Sequence, residues 1–147
     1  PTTRMCLRWT AQHPPVGSRV LDYGCGSGIL AIGAAKFGAR EIVAVDIDPA
    51  AVESTRLNAS ANHVTLSEGL PDLARGEHDL VLANILATPL KVLAPLLCSH
   101  VRPGGQLVLA GILARQADEL IEAYAPWVAL QVSDEEEGWI LMTAVKA

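Results

Sequence analysis

The chain has 147 residues, half of them apolar, a net charge of −5 and three cysteines. This length fits one domain with a core of its own; no apolar run approaches the 18 or so residues of a membrane span and no charged-then-apolar leader opens the chain, so a soluble, cytoplasmic protein without a membrane partner is expected. The eleven basic residues form no run, which argues against direct binding of nucleic acid, and Cys6, Cys25 and Cys98, without a C-x-x-C, suggest neither a disulfide framework nor a zinc site.

In chain order, a helical pattern covers residues 3–11, and Thr2 reads as its N-cap. A strand over residues 19–23 then runs into Gly24-Cys25-Gly26-Ser27-Gly28. Residues without Cβ take positive φ and let a ligand approach the main chain, so these glycines form a backbone wall. Ser27 reads as the N-cap of a helix over residues 28–37, and such a helix end presents unpaired donors to anionic or strongly polar groups. A tight strand-to-helix connection would need similar residues, but a second signal supports a ligand: Glu41-Ile42-Val43-Ala44-Val45-Asp46 is a β-branched strand ending in a carboxylate. It stands roughly 20 residues after the glycines, the spacing at which doubly wound units hold a ribose hydroxyl pair. Asp46 is the leading ligand-binding candidate, whereas Asp48 before Pro49 reads as the cap of a helix over residues 49–61.

Strands follow over residues 63–66 and 78–83. Asn84, at the end of the second of these, lies where open α/β sheets bind ligands; its carbonyl can accept from a substrate amine and its NH2 can donate to a cofactor, although the position alone suits a helix cap equally well. A helix over residues 86–100 carries a core stripe of Leu86, Leu90, Leu93 and Leu97 and is expected to kink or restart at Pro95. Arg102-Pro103-Gly104-Gly105 reads as a turn into a strand over residues 105–111, followed by a helix over 114–125. Strand-like runs from Trp127 to Val132 and from Trp139 to Val145 are joined by an acidic link, Ser133 to Gly138, that permits an antiparallel hairpin; Glu135, Glu136 and Glu137 read as a solvated turn. His13, His63, His78 and His100 are scattered and read as surface or packing residues, and no metal is assigned. The alternation of strands and helices predicts an α/β fold with parallel strands and right-handed crossovers.

Gly26-x-Gly28-x-x-Ala31 also satisfies the loose dinucleotide fingerprint. Asp22, directly before the loop, would repel a pyrophosphate and attract an ammonium, which favours a zwitterionic amino-acid tail. A carboxylate, then Gly-x-Gly-x-Gly, then a second acidic strand end resembles the Rossmann-like S-adenosylmethionine-dependent methyltransferases. With Pro1-Thr2-Thr3, Val45-Asp46-Ile47-Asp48-Pro49, Ala83-Asn84-Ile85-Leu86-Ala87 and Gly111-Ile112-Leu113-Ala114 in order, the whole chain is similar to the catalytic domain of the family that methylates ribosomal large-subunit protein eleven. The family's Gly-Thr-Gly-x-His lead-in and its N-terminal recognition domain are expected to lie outside this sequence.

The resemblance implies a seven-stranded, mostly parallel sheet with an antiparallel last strand and helices on both faces, all within a single methyltransferase domain over residues 1–147. It implies S-adenosylmethionine as cofactor, bound by Thr3, Asp22, Gly24, Gly26, Gly28, Asp46 and Asn84, and Asn84 as the residue that meets the methyl-accepting amine. Glu68 would border the adenine. The implied reaction is direct displacement at a lysine or N-terminal amine of a large-subunit ribosomal protein, by a monomer. A nicotinamide-dependent oxidoreductase domain and a non-catalytic cofactor-binding module are the alternatives.

Overall fold

The computed structural model describes residues 1–147. Strands β1 (Arg19–Tyr23), β2 (Glu41–Val45), β3 (Ser67–Gly69), β4 (His78–Asn84), β5 (Val101–Leu113), β6 (Gln131–Glu136) and β7 (Trp139–Val145) form one sheet in the order β3-β2-β1-β4-β5-β7-β6. The pairs among β1 to β5 are parallel, and β7 enters antiparallel between β5 and β6. The expected seven-stranded fold is therefore the one observed.

The central strands read as almost unbroken apolar runs because both of their faces are covered. Alternate residues go to opposite sides. Leu21, Val43, Val81 and Leu107 meet Leu90, Leu97, Leu120 and Tyr124 in one apolar layer, and Val20, Ile42, Leu80 and Val108 meet Met5, Trp9, Leu30 and Ala34 in the other. The first layer is covered by α4 (Ala87–Val92), α5 (Ala94–Ser99) and α6 (Ala117–Tyr124), and the second by α1 (Thr2–Gln12) and α2 (Ile29–Lys36). Beside α2 lies α3 (Pro49–Ala61). All three cysteines are buried, and burial lifts the Cys6 thiol to about 12 and those of Cys25 and Cys98 to about 11. None is a poised nucleophile, since the thiolate is the reactive form.

Several local expectations shift. Helix α2 begins at Ile29 behind Gly28, whose φ of 86° is left-handed, and Ser27 supplies no cap. The Asp22 carboxylate, coming from the adjacent strand, accepts instead from the Ala31 N–H at 3.1 Å. Thr2 is likewise the first residue of α1 and not its cap, whereas Asp48 caps α3 as expected, accepting from Ala50 N–H at 2.9 Å. Residues 63–66 do not form β3, because the His63 and Val64 N–H groups close the end of α3 on the carbonyls of Ser60 and Ala59. The expected helix over 86–100 is two helices, broken at Leu93 so that Pro95 sits in the first turn of the second, where its missing N–H leaves nothing unpaired. The Arg102–Gly105 turn is an outward irregularity within β5, since Leu80 of β4 pairs with Gln106.

The C-terminal hairpin differs most. Trp127 and Val128 still bond the Tyr124 carbonyl as the chain leaves α6, so β6 starts only at Gln131 and its turn is confined to Glu137 and Gly138. Of the acidic residues expected in a solvated turn, Glu137 lies there, whereas Glu135 and Glu136 lie on β6, where Glu136 pairs with Arg4 and Asp134 with Arg8 of α1. His78 and His100, scattered in sequence, meet edge to face at 5.9 Å at the end of β4 opposite Asn84. Burial depresses the His78 imidazole, so it packs as a neutral ring.

Candidate functional site

The strand order reverses between β1 and β4, and a crevice opens at their carboxyl ends. Its floor is the glycine loop. Gly24, Gly26 and Gly28 all have positive φ, but for different surroundings. A Cβ on Gly24 would lie 2.7 Å from the Ile85 side chain, and one on Gly28 would lie 2.9 Å from Thr55, so packing forbids both. A Cβ on Gly26 would meet nothing within 4 Å. The open face of Gly26 is where a ligand can lie against the main chain.

The loop is held from both sides. Asp46 reaches back from the end of β2, its Oδ2 accepting from Gly26 N–H and its Oδ1 from Asp48 N–H, both at 3.0 Å. Each oxygen keeps a further lone pair, so a half-buried carboxylate already fixed by backbone donors can still accept from two hydroxyls. From α3, Thr55 Oγ1 donates to the Gly26 carbonyl at 3.0 Å and Asn58 Nδ2 to the Ser27 carbonyl at 2.8 Å. The sequence reading missed these two supports; the signal available was a polar residue at the buried position of an otherwise exposed helix, where Thr55 and Ala59 lie one turn apart.

Asp22 lies beneath this floor, wholly buried. Burial raises its carboxyl to about 7, against the opposing pull of the Ala31 N–H. Its oxygen occupies the first turn of α2, so the donors expected to be unpaired there are already partly used. Asn84 ends β4 with its NH2 donating to Thr3 Oγ1 at 3.3 Å, which joins α1 to the crevice and leaves the amide oxygen to receive an N–H. The structure thus brings Thr3 to Asn84, and Gly24 and Gly26 to Asp46, while Gly28 packs against Thr55. Glu68 precedes Gly69 of β3, whose carbonyl accepts from the Asp46 N–H at 3.1 Å, and it lines a shallow pocket with Leu70 and Asp72.

Ile85 and Leu86 follow Asn84 and project over the crevice. One cleft of about 370 Å³ lies between them and Tyr23, Gly24, Asp46 and Ile47, with an almost wholly apolar lining. The Ile85 backbone is pressed against Gly111 of β5, which takes φ 86°. A Cβ there would lie 2.8 Å from the Ile85 carbonyl carbon, backbone against backbone, so neither partner can rotate away. Gly111→Ala is therefore expected to lower the unfolding free energy by about 2 kcal/mol or more, from left-handed strain plus displacement of the Asn84–Leu86 segment; urea denaturation measures it, and an unchanged midpoint would contradict the tight approach.

A doubly wound sheet with a terminal antiparallel hairpin, a glycine loop at its switch point and acidic residues at the ends of β1 and β2 defines the Rossmann-like methyltransferase fold. The structure superposes with a TM-score of 0.82 on the T. Thermophilus 16S rRNA N2 G1207 methyltransferase, at 23% identity over all of this chain and 43% of that one. With the ribosomal protein L11 methylase of Lactobacillus delbrueckii subsp. bulgaricus the TM-score is 0.89, at 31% identity over 98% of this chain and 78% of that one. The profile described as "Ribosomal protein L11 methyltransferase (PrmA)" matches residues 1–147, and the chain belongs to that family. The ribosomal protein L11 methyltransferase of Polaromonas sp. (strain JS666) is 74% identical, over 98% of this chain and 49% of that protein. The chain spans about half the length of the curated relatives it matches.

Proposed function

We propose that residues 1–147 form a single S-adenosylmethionine-dependent methyltransferase domain acting on amines of a large-subunit ribosomal protein; its relatives are named as methyltransferases of ribosomal protein L11. The observation that carries the cofactor reading is the position of Asp22. A dinucleotide-binding domain leaves the first turn of this helix free for a pyrophosphate. Here a buried carboxylate accepts from the Ala31 N–H in that turn, so the loop suits a ligand with a cationic tail and no diphosphate. The open face of Gly26, the remaining lone pairs of Asp46 and the apolar cleft beside Ile47 fit a backbone-bound nucleoside.

Gly24, Gly26, Gly28, Asp22, Asp46 and Thr3 would hold the cofactor. When bound, it would supply an electrophilic methyl to the lone pair of a neutral amine nitrogen, the C–S electron pair returning to sulfur and the resulting ammonium giving its proton to water on release. The chain's own part is alignment and exclusion of water. Asn84 Oδ1 accepts an N–H of the incoming amine and orients the nitrogen, while Thr3 fixes the amide. An amine with an ordinary pKa near 10.4 must arrive neutral, and apolar Ile85 and Leu86 disfavour its charged form. A cytoplasmic setting follows from a ribosomal-protein substrate, and no helix is long and apolar enough to cross a membrane.

Calorimetric titration with S-adenosylmethionine, S-adenosylhomocysteine and NADH tests the reading. Binding of both adenosyl ligands and not of NADH is expected; preference for NADH would identify an oxidoreductase domain, and adenosyl binding with no methyl transfer to any amine would leave a binding module.

A further inference from the structure

Helix α1 packs on β5, β6 and β7 and carries two arginines, four residues apart, that reach β6. Arg4 pairs with Glu136, and Arg8 donates to Oδ2 of Asp134 from Nε at 3.0 Å and from Nη2 at 2.6 Å. Arg8 also lies 3.6 Å from Oε2 of Glu136, which is buried and accepts no hydrogen bond. None of these four side chains touches the crevice. We propose that Arg4 and Arg8 are positioning residues: with Glu136 and Asp134 they form a charged latch that fixes α1 along its axis and so sets Thr3 where it holds Asn84 and the cofactor. The proposal rests on the methyltransferase reading and deepens it.

The latch is a match of two repeats. Four residues of a helix rise about 6 Å and two residues of a strand about 6.6 Å, so Arg4 and Arg8 can meet Glu136 and Asp134 together. Slippage of α1 by one turn would leave one arginine without a carboxylate. Direction matters as well. Strand β7 is antiparallel to both of its neighbours, so β6 runs with the central strands and ends, at Glu136, on the crevice side of the sheet. Arg4 is therefore bound at the crevice end of α1, one residue after Thr3, whose Oγ1 accepts from Asn84 Nδ2 at 3.3 Å.

The rest of the α1 contact supplies adhesion without register. Met5, Cys6 and Trp9 bury the inner face of the helix, and apolar burial is non-directional. Charge complementarity is what fixes register. Both arginines are exposed, and Asp134 and Glu136 are only partly buried, so the pairs contribute little to global stability. Their effect falls on the placement of Thr3.

The test introduces Asp134→Asn together with Glu136→Gln, which removes both charges from β6 and keeps its shape, in the native chain and in Thr3→Ala. S-adenosylhomocysteine affinity is read by calorimetry and the fold by urea denaturation. Coupling cannot exceed what the pairs themselves contribute, so neutralising the latch should weaken binding about three- to tenfold with the urea midpoint nearly unchanged. In Thr3→Ala the same two substitutions should cost less than about twofold more, because the latch acts through Thr3. Raising salt from about 0.01 M to about 1 M shortens the screening length from about 30 Å to about 3 Å. It should bring the native chain toward the affinity of the neutralised variant and move the variant less than about twofold. Native affinity in the neutralised variant, or an equal loss with and without Thr3, would overturn the proposal while leaving the cofactor reading intact. A urea midpoint that falls along with the affinity would make the pairs structural and overturn it too, and failure of the native chain to bind S-adenosylhomocysteine would overturn the methyltransferase reading and this proposal together.

Discussion

Replacing Asp46 with alanine is expected to weaken S-adenosylhomocysteine binding by about 100-fold or more. The carboxylate accepts from Gly26 N–H and Asp48 N–H and, in the proposed complex, from the two ribose hydroxyls. Hydrogen bonds to a charged group contribute roughly 1.5–3 kcal/mol each, so losing two of them amounts to two orders of magnitude or more in affinity. The loop should also loosen, because Gly26 keeps no side-chain anchor on that side while Thr55 still holds its carbonyl. Asp46→Asn separates the two effects. Its amide oxygen can satisfy one backbone N–H, but its NH2 faces a second donor, so affinity should fall nearly as far while the melting temperature falls less. Calorimetry and thermal melting measure both, and near-native affinity in Asp46→Ala would remove Asp46 from the site.

The parts of this molecule legible in sequence are those specified by neighbouring residues. Asp48-Pro49 is a self-contained cap, and the short apolar runs of β1, β2 and β4 announce buried parallel strands. The candidate site was legible as far as its glycines, Asp22, Asp46 and Asn84, because each stands at a strand end. What was not legible is supplied across the fold. Ser27 is a reasonable cap by its own chemistry, yet the donor goes to Asp22 because β1 runs directly under the first turn of α2. Thr55 and Asn58 carry no signature beyond one buried polar position, and Gly111 looks like a strand glycine until Ile85 is placed against it. Strand β6 is acidic and mostly exposed; its extent is set by pairing with β7 and by the arginines of α1, both remote in sequence.

Asp22→Asn should change how stability depends on pH. In the unfolded chain the Asp22 carboxyl titrates near 3.9, whereas burial raises it to about 7 in the fold. Between these values the folded protein holds a proton that the unfolded chain has released, so unfolding gives up a proton and stability falls as pH rises. The contribution is fully present below about pH 4 and lost above about pH 7, a change of about 4 kcal/mol for a shift of this size. An asparagine keeps an oxygen for the Ala31 N–H and cannot ionise. Native and variant stabilities, from urea denaturation, should therefore nearly coincide at pH 4, with the variant the more stable at pH 8. Comparing the two cancels surface carboxylates such as Glu53 and Glu136, whose arginine partners hold them below the usual range and whose effect runs the opposite way in acid. Cofactor binding supplies the converse test. If the ammonium of the methionine tail lies near Asp22, it favours the ionised form, so S-adenosylhomocysteine should expel a proton on binding near pH 7 in the native protein and none in the variant. Calorimetry in buffers of different ionisation enthalpy reads that proton directly. An equal stability slope in both proteins would show that Asp22 stays ionised beneath the loop, and a buffer-independent binding heat would place the ammonium elsewhere.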